Sequence, residues 1–193
     1  MVQIVLIRPG MTDFDVQGRI TGRLDIPLNE QGAEDVARTA NELRDVGVVA
    51  VVSSPGQSAK QTAQAIAAVL GVKAKTIDNL RNLNHGLWEG TLVEDVKRKH
   101  PKVYRQWQEH PDHVCPPDGE MLGEARVRVE TALSKLLKKH KEGVVAVIVP
   151  DPLASVVRSH LLGSELGNLW KSNEKCGRWE LITPPSPLAA HPS

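Results

Sequence analysis

Arg8, Pro9 and Gly10 follow the apolar run "VQIVLI", and their order poses the first chemical question. An arginine at the exit of a buried strand, ahead of a glycine turn, offers a cation where open α/β sheets gather their ligands. A reactive side chain is expected between them. Proline stands there instead, with no side-chain lone pair for attack on phosphorus. Gly10, Gly18 and Gly22 lack dinucleotide spacing and no P-loop lysine follows them, which argues against a nucleotide cradle. His110 and His113 would suit a metal only with ligands from elsewhere and read as surface histidines, so no metal and no cofactor is expected.

The elements that must position these residues are legible in the hydrophobic pattern. Val2 to Ile7, Val48 to Ser53 and Val144 to Val149 are continuous apolar runs rich in β-branched residues, as in parallel strands covered on both faces. Helix patterns lie between them. Asn29 is placed to cap a helix that runs to about Arg44 and stops at Gly47, and "SAKQTAQAIAAVLG" repeats that design. Thr91 and Glu94 have capping-box spacing, and Pro101 ends or kinks the helix they start. From about Gly119 to Lys141, Leu122, Ala125, Val129, Ala132 or Leu133, and Leu136 share one face. The alternation predicts an α/β fold, a three-layer α/β/α sandwich with a mostly parallel central sheet. "KAKTI" and "GRWELIT" are weaker strands for its edges. The loop "HPDHVCPPDGE" should sit over one end of the sheet, and the Pro-rich tail 184–193 reads as disordered.

Composition narrows the function classes. The chain has 193 residues, 40% of them hydrophobic, enough for one compact domain with one sizeable core. With 24 basic and 23 acidic residues, its net charge of +1 supplies no global field for nucleic acid or an anionic membrane. Phosphate affinity would have to be local. Cys115 and Cys176 are distant in sequence and suggest neither a disulfide framework nor a zinc knuckle. No apolar stretch approaches a membrane span, and a cytoplasmic location is expected. The run "KKHK" at 138–141 reads as a solvated helix end. Of the four tryptophans, Trp88 is expected in the core and Trp107 half-exposed.

Arg8-Pro9-Gly10, "GRITGRLDIPLNEQG", "SSPGQSAKQTAQAIA", "LRNLNHGLWEG", "PPDGEML" and "VVAVIVPDPLASVVR" fall in an order and spacing that resembles the histidine phosphatase superfamily, in its phosphoglycerate-mutase-like branch. The likeness spans Val2 to about Thr183 and implies a single domain of that fold over 1–183. It also implies a site in which a histidine after the first strand attacks phosphorus, assisted by two arginines, an acidic proton donor and a second histidine. Carried over by position, the nucleophile is Pro9, the second arginine Ser58, the acid Asn82 and the second histidine Asp151, which lies between Pro150 and Pro152. Asp15 stands for the usual asparagine, Thr21 for a glutamine, Met11 for a glutamate and Met121 for a serine. Arg8 alone is kept from the central set. His85 takes the place of an aromatic ring and is read as packing.

Those departures set the functional expectation. Removing one cationic or oriented group from a phosphoryl-transfer site commonly costs about 10³-fold, and here several change together. Two carboxylates at about 4 Å from a phosphate dianion would each cost on the order of 4 kcal/mol per unit of phosphate charge at an effective dielectric of about 20. The expectation is therefore a pseudoenzyme, an inactive homologue with no catalytic residue. Arg8, Pro9, Asp15, Thr21, Ser58, Asn82 and Asp151 would form a degenerate pocket serving a regulatory, scaffolding or ligand-binding role. Two alternatives stand beside it. One is a rewired phosphoric-ester hydrolase using Asp151 with Arg8, and the other is a binding module for a cationic or neutral metabolite. Arg8 itself reads either as a structural ion pair with Asp151 or as part of a repurposed ligand site. The partner is left open, a protein or a small ligand, with a homodimer among the options.

Overall fold

The computed structural model describes residues 1–166 and 176–185. Its sheet has the order β3-β2-β4-β1-β5, built from β1 (Gln3–Ile7), β2 (Val48–Ser53), β3 (Ala74–Thr76), β4 (Val144–Ile148) and β5 (Trp179–Ile182). β1, β2, β3 and β4 run parallel, and β5 joins β1 antiparallel. The two weak strands of the sequence are the two edges. The β-branched runs alternate cleanly between faces: Ile4, Leu6, Val145 and Val147 enter one core, and Val5, Ile7, Ala146 and Ile148 the other. The expected single core is thus two cores back to back across the sheet.

Helices supply the outer layers. α1 (Asp13–Gln17), α2 (Glu30–Glu42) and α3 (Gln57–Leu70) precede α4 (Val93–Lys99), α5 (Pro101–Glu109), α6 (Leu122–Lys139) and α7 (Leu153–Leu162). α2 and α3 cover one face through Val36, Ala40, Ala63 and Ile66, while α6 and α7 cover the other through Val129, Leu133, Leu153 and Val157. Asn29 caps α2 as expected, its Oδ1 accepting from the Gly32 N–H at 2.8 Å. Gly71 ends α3 in the left-handed region at φ 67°. Pro101 opens α5 after α4 has ended at Lys99.

Other local expectations are corrected. Thr91 does not cap α4, because its hydroxyl donates instead to the Trp88 carbonyl at 2.6 Å, and the cap position falls to Leu92 without a side-chain bond. Trp107 is not half-exposed. It is 4% exposed in a small satellite core with Ile20, Val96 and Val114, against which the half-buried Trp88 packs. α4 and α5 thereby form an apolar cap of their own beside the sheet. The tail reading falls largely on residues 186–193, which lie outside the described residues. Among the described residues, no helix is long and apolar enough to cross a membrane.

Candidate functional site

The carboxyl ends of β1, β2 and β4 meet at one edge of the sheet, where the Val149 N–H donates to Ile7 and the Ser54 N–H to Ile148. The chain leaves each strand there. Arg8 and Pro9 follow β1, Ser54 to Ser58 lead from β2 into α3, and Pro150 to Pro152 lead from β4 into α7. These exits border a cavity of about 490 Å³ lined by Arg8, Pro9, Asp15, Thr21, Ser58 and Asp151. A second cavity of about 320 Å³ shares Thr21, Gly22, Ser58 and Pro150 with the first and adds Asn82. Arg8, Pro9, Asp15, Thr21, Ser58, Asn82 and Asp151 therefore gather at this edge, with Asn82 on the far wall, whereas Met11, Met121, His110 and His113 line neither cavity.

Arg8 is buried, 6% exposed, and its Nε donates to Asp151 Oδ2 at 2.8 Å. Behind it, Nη1 lies 3.8 Å from Glu180 Oε1, and Arg158 Nε holds the other Glu180 oxygen at 3.0 Å. Charges thus alternate from the pocket outward, Asp151, Arg8, Glu180, Arg158. Sequence reasoning missed Glu180 and Arg158, because the antiparallel pairing that sets Glu180 opposite Leu6 leaves no mark in the sequence. Asp151 also accepts from the Ser155 hydroxyl at 3.3 Å, and its peptide bond to Pro152 is cis.

Pro9 is set in place by backbone. Its carbonyl accepts from the Gly177 N–H at 2.9 Å, and the Arg8 N–H donates to Arg178 at 3.0 Å. Gly10 can follow it only as glycine, since a Cβ there would lie 2.5 Å from the Gly32 carbonyl oxygen of α2. Asp15 lines the pocket, yet its carboxylate folds back: Oδ2 accepts from both the Thr12 N–H and the Thr12 hydroxyl at 2.7 Å. Its charge remains near the site. Cys176, on the same wall, has its thiol pushed up to about 12, first by burial and then by the charges of Asp15, Asp151 and Asp35. That thiol is no nucleophile at neutral pH.

Asn82 is 5% exposed. Its Nδ2 donates to the Asp151 carbonyl at 3.2 Å, while Oδ1 is buried with no hydrogen-bond partner among the described residues. The backbone that carries Asn82 is held by a residue the sequence reading overlooked. Arg128 of α6 donates to the carbonyls of Asn79, Arg81 and Asn82 and forms a two-point pair with Glu120. Burial would raise the Glu120 carboxyl, but the Arg128 hydrogen bond, the Asn84 N–H and the Arg128 charge outweigh it and leave that group below its ordinary value. His85 is buried edge-on against Trp107 at 5.2 Å between ring centroids. Burial lowers its pKa to about 4, against a smaller opposing effect of Glu120. The imidazole is neutral at physiological pH. His110 and His113 are exposed and stacked at 5.7 Å.

Comparison with known proteins agrees with this geometry. The family model described as "Histidine phosphatase superfamily (branch 1)" matches residues 4–182. "Phosphoserine phosphatase 1" of Hydrogenobacter thermophilus is 31% identical over 170 residues, covering 88% of this chain and 81% of that protein. A bifunctional protein of Mycobacterium tuberculosis is 31% identical over 147 residues, and the chain spans only 40% of its length. Among solved structures, a mycobacterial glucosyl-3-phosphoglycerate phosphatase superposes with a TM-score of 0.84 at 23% identity, over 94% of this chain and 92% of that one. The first of these relatives, 31% identical over 88% of the chain, overturns the expectation of an inactive, non-enzymatic homologue, because it carries the name of a phosphatase. Pro9, Ser58, Asn82 and Asp151 remain departures from the family pattern, and they bear on how such a site works.

Proposed function

Because the chain belongs to the histidine phosphatase superfamily (branch 1), we propose that it is a phosphoric-ester hydrolase whose site is rewired around Arg8 and Asp151. The observation that carries this reading is the buried Arg8 guanidinium at the pocket edge with the Asp151 carboxylate 2.8 Å away. Arg8 binds and orients phosphoryl oxygens, stabilising the charge they carry in the transition state. Pro9 supplies no nucleophile, so water attacks phosphorus directly. Asp151 accepts the water proton as the new P–O bond forms and the ester P–O bond breaks. The leaving oxygen takes a proton from solvent, Asp151 returns its own to solvent, and the products are an alcohol and inorganic phosphate.

Charge selects among substrates. Arg8 and Arg19 share the cavity lining with three carboxylates, Asp151, Asp15 and Glu94, and the charges of Asp15 and Asp151 add to burial in raising the Cys176 thiol. A phosphoester that also bears an ammonium group meets those carboxylates with its own cation, as phosphoserine would, the substrate in the name of one relative. The test is turnover of O-phosphoserine, with p-nitrophenyl phosphate as the uncharged-side comparison. Arg8→Ala and Asp151→Asn should each lower kcat/KM by about 10²–10³-fold. A chiral phosphate ester should be hydrolysed with inversion at phosphorus, because one displacement occurs. Retention, or no release of phosphate from either ester, would overturn the proposal.

A further inference from the structure

A groove lies away from the carboxyl-end pocket, between the outer strands of the sheet and α6, with a volume of about 660 Å³. That is within the roughly 300–1,000 Å³ typical of small-molecule sites. Its floor is aliphatic: Ala50 and Val52 of β2, Ile77 after β3, and Leu136 of α6. Its rim is cationic. Lys135 and Lys139, four apart on α6, face Lys73 and Lys75 beside the exposed edge strand β3. Like charges at such spacing on a helix repel and destabilise it. No ion pair relieves any of these lysines among the described residues, and the one acidic residue of the lining, Asp78, is engaged by Arg81 at 2.8 Å. The groove thus joins an apolar trough to a concentration of positive charge with no internal partner.

We propose that this groove binds a free alkyl carboxylate of the fatty-acid class, its tail on the aliphatic floor and its carboxylate among the lysines. An alkyl chain has no polar groups to lose on that floor, whereas a peptide backbone laid there would forfeit hydrogen bonds to water. A membrane is a poorer occupant, because the surface is concave and Val49 is the only large apolar residue of the lining that stands well exposed. A second copy is a poorer one too, since pairing across the β3 edge would set the same lysines against each other. The site is defined by binding, so it stands or falls independently of the hydrolase reading.

The experiment is calorimetric titration of the full chain with decanoate below its micellar concentration. One saturable site is expected, weakened by added salt and weakened by about tenfold for octanoate, which lacks two buried methylenes. The doubly substituted Lys135→Glu, Lys139→Glu chain should bind at least about tenfold more weakly, a difference of about 1.4 kcal/mol. Lys73→Gln with Lys75→Gln, on the opposite rim, repeats the test without touching α6, and circular dichroism confirms that each variant is folded. Decyltrimethylammonium binding as well as decanoate would overturn the proposal, as would rim substitutions without effect. Binding to phosphatidylglycerol vesicles or to an acidic peptide in place of decanoate would overturn it equally. A dimer abolished by the same substitutions would assign the groove to a second copy and overturn it too.

Discussion

His85 packs against Trp107, lines the pocket and governs pH behaviour. The ring is buried against Trp107, and burial holds its pKa near 4 in the folded chain, below the ordinary 6.5. Between those values the unfolded chain binds a proton that the folded chain does not, so stability rises with pH across that window. It is complete above about 6.5 and is lost as pH falls toward about 4. The full effect is on the order of 3 kcal/mol. Thermal melts between pH 7.5 and 4.5 should therefore show a steep fall for the natural chain. His85→Phe keeps an aromatic ring on Trp107 and removes the titration, so its melting temperature should fall less over the same range. Equal slopes in the two proteins would mean that His85 is not buried neutral.

At the scale of elements, the sequence displayed the sheet because each central strand is buried on both faces and so had to be written in continuous apolar runs. The same burial made the cap of α4 and α5 hard to read. Trp107 sits in a helix of mostly polar residues, and only its place in a cluster with Ile20, Trp88 and Val114, all outside that helix, shows that it is core. The candidate site was legible residue by residue through spacing, whereas Arg128 was not. Its role is to bind three backbone carbonyls, and carbonyls leave no mark in a sequence. The contact of α2 with the turn after β1 lies between these cases. "NEQG" gives the helix start, but only the fold reveals that Gly32 lies against the backbone of Met11, which a Cβ would strike. Asn29 fastens the same place by donating its N–H to Met11 at 3.0 Å. Gly32→Ala should force α2 off the turn that carries Pro9, destabilising the chain by about 1–3 kcal/mol. Chemical denaturation measures this, and an unchanged midpoint would show that the helix can shift freely.

Over the whole molecule, the site is a meeting of segments that lie far apart in the chain, among them the exit of β1, α1 and the loop after it, the start of α3, the stretch before Leu83, the turn from β4 to α7 and the stretch before β5. A single substitution restores one wall of such a site and leaves the others unchanged. Pro9→His would place an imidazole next to Arg8, yet it would face Asp151 where a second cation would be needed, Ser58 where a guanidinium would be needed, and Asn82, whose amide cannot supply a proton. The Arg8 guanidinium would also stay committed to Asp151 at 2.8 Å. Groups that act together in catalysis contribute far from additively. Pro9→His alone should therefore form no acid-labile phosphoenzyme when mixed with O-phosphoserine, and its hydrolysis should keep the inverting course of direct attack by water. The substitution also removes a fixed φ at a position whose carbonyl is bound to Gly177, so a modest loss of stability is expected with no gain in rate. A trapped phosphohistidine, or a switch to retention at phosphorus in this variant, would show that the remaining walls still support double displacement and that the Arg8–Asp151 pair opens when substrate arrives.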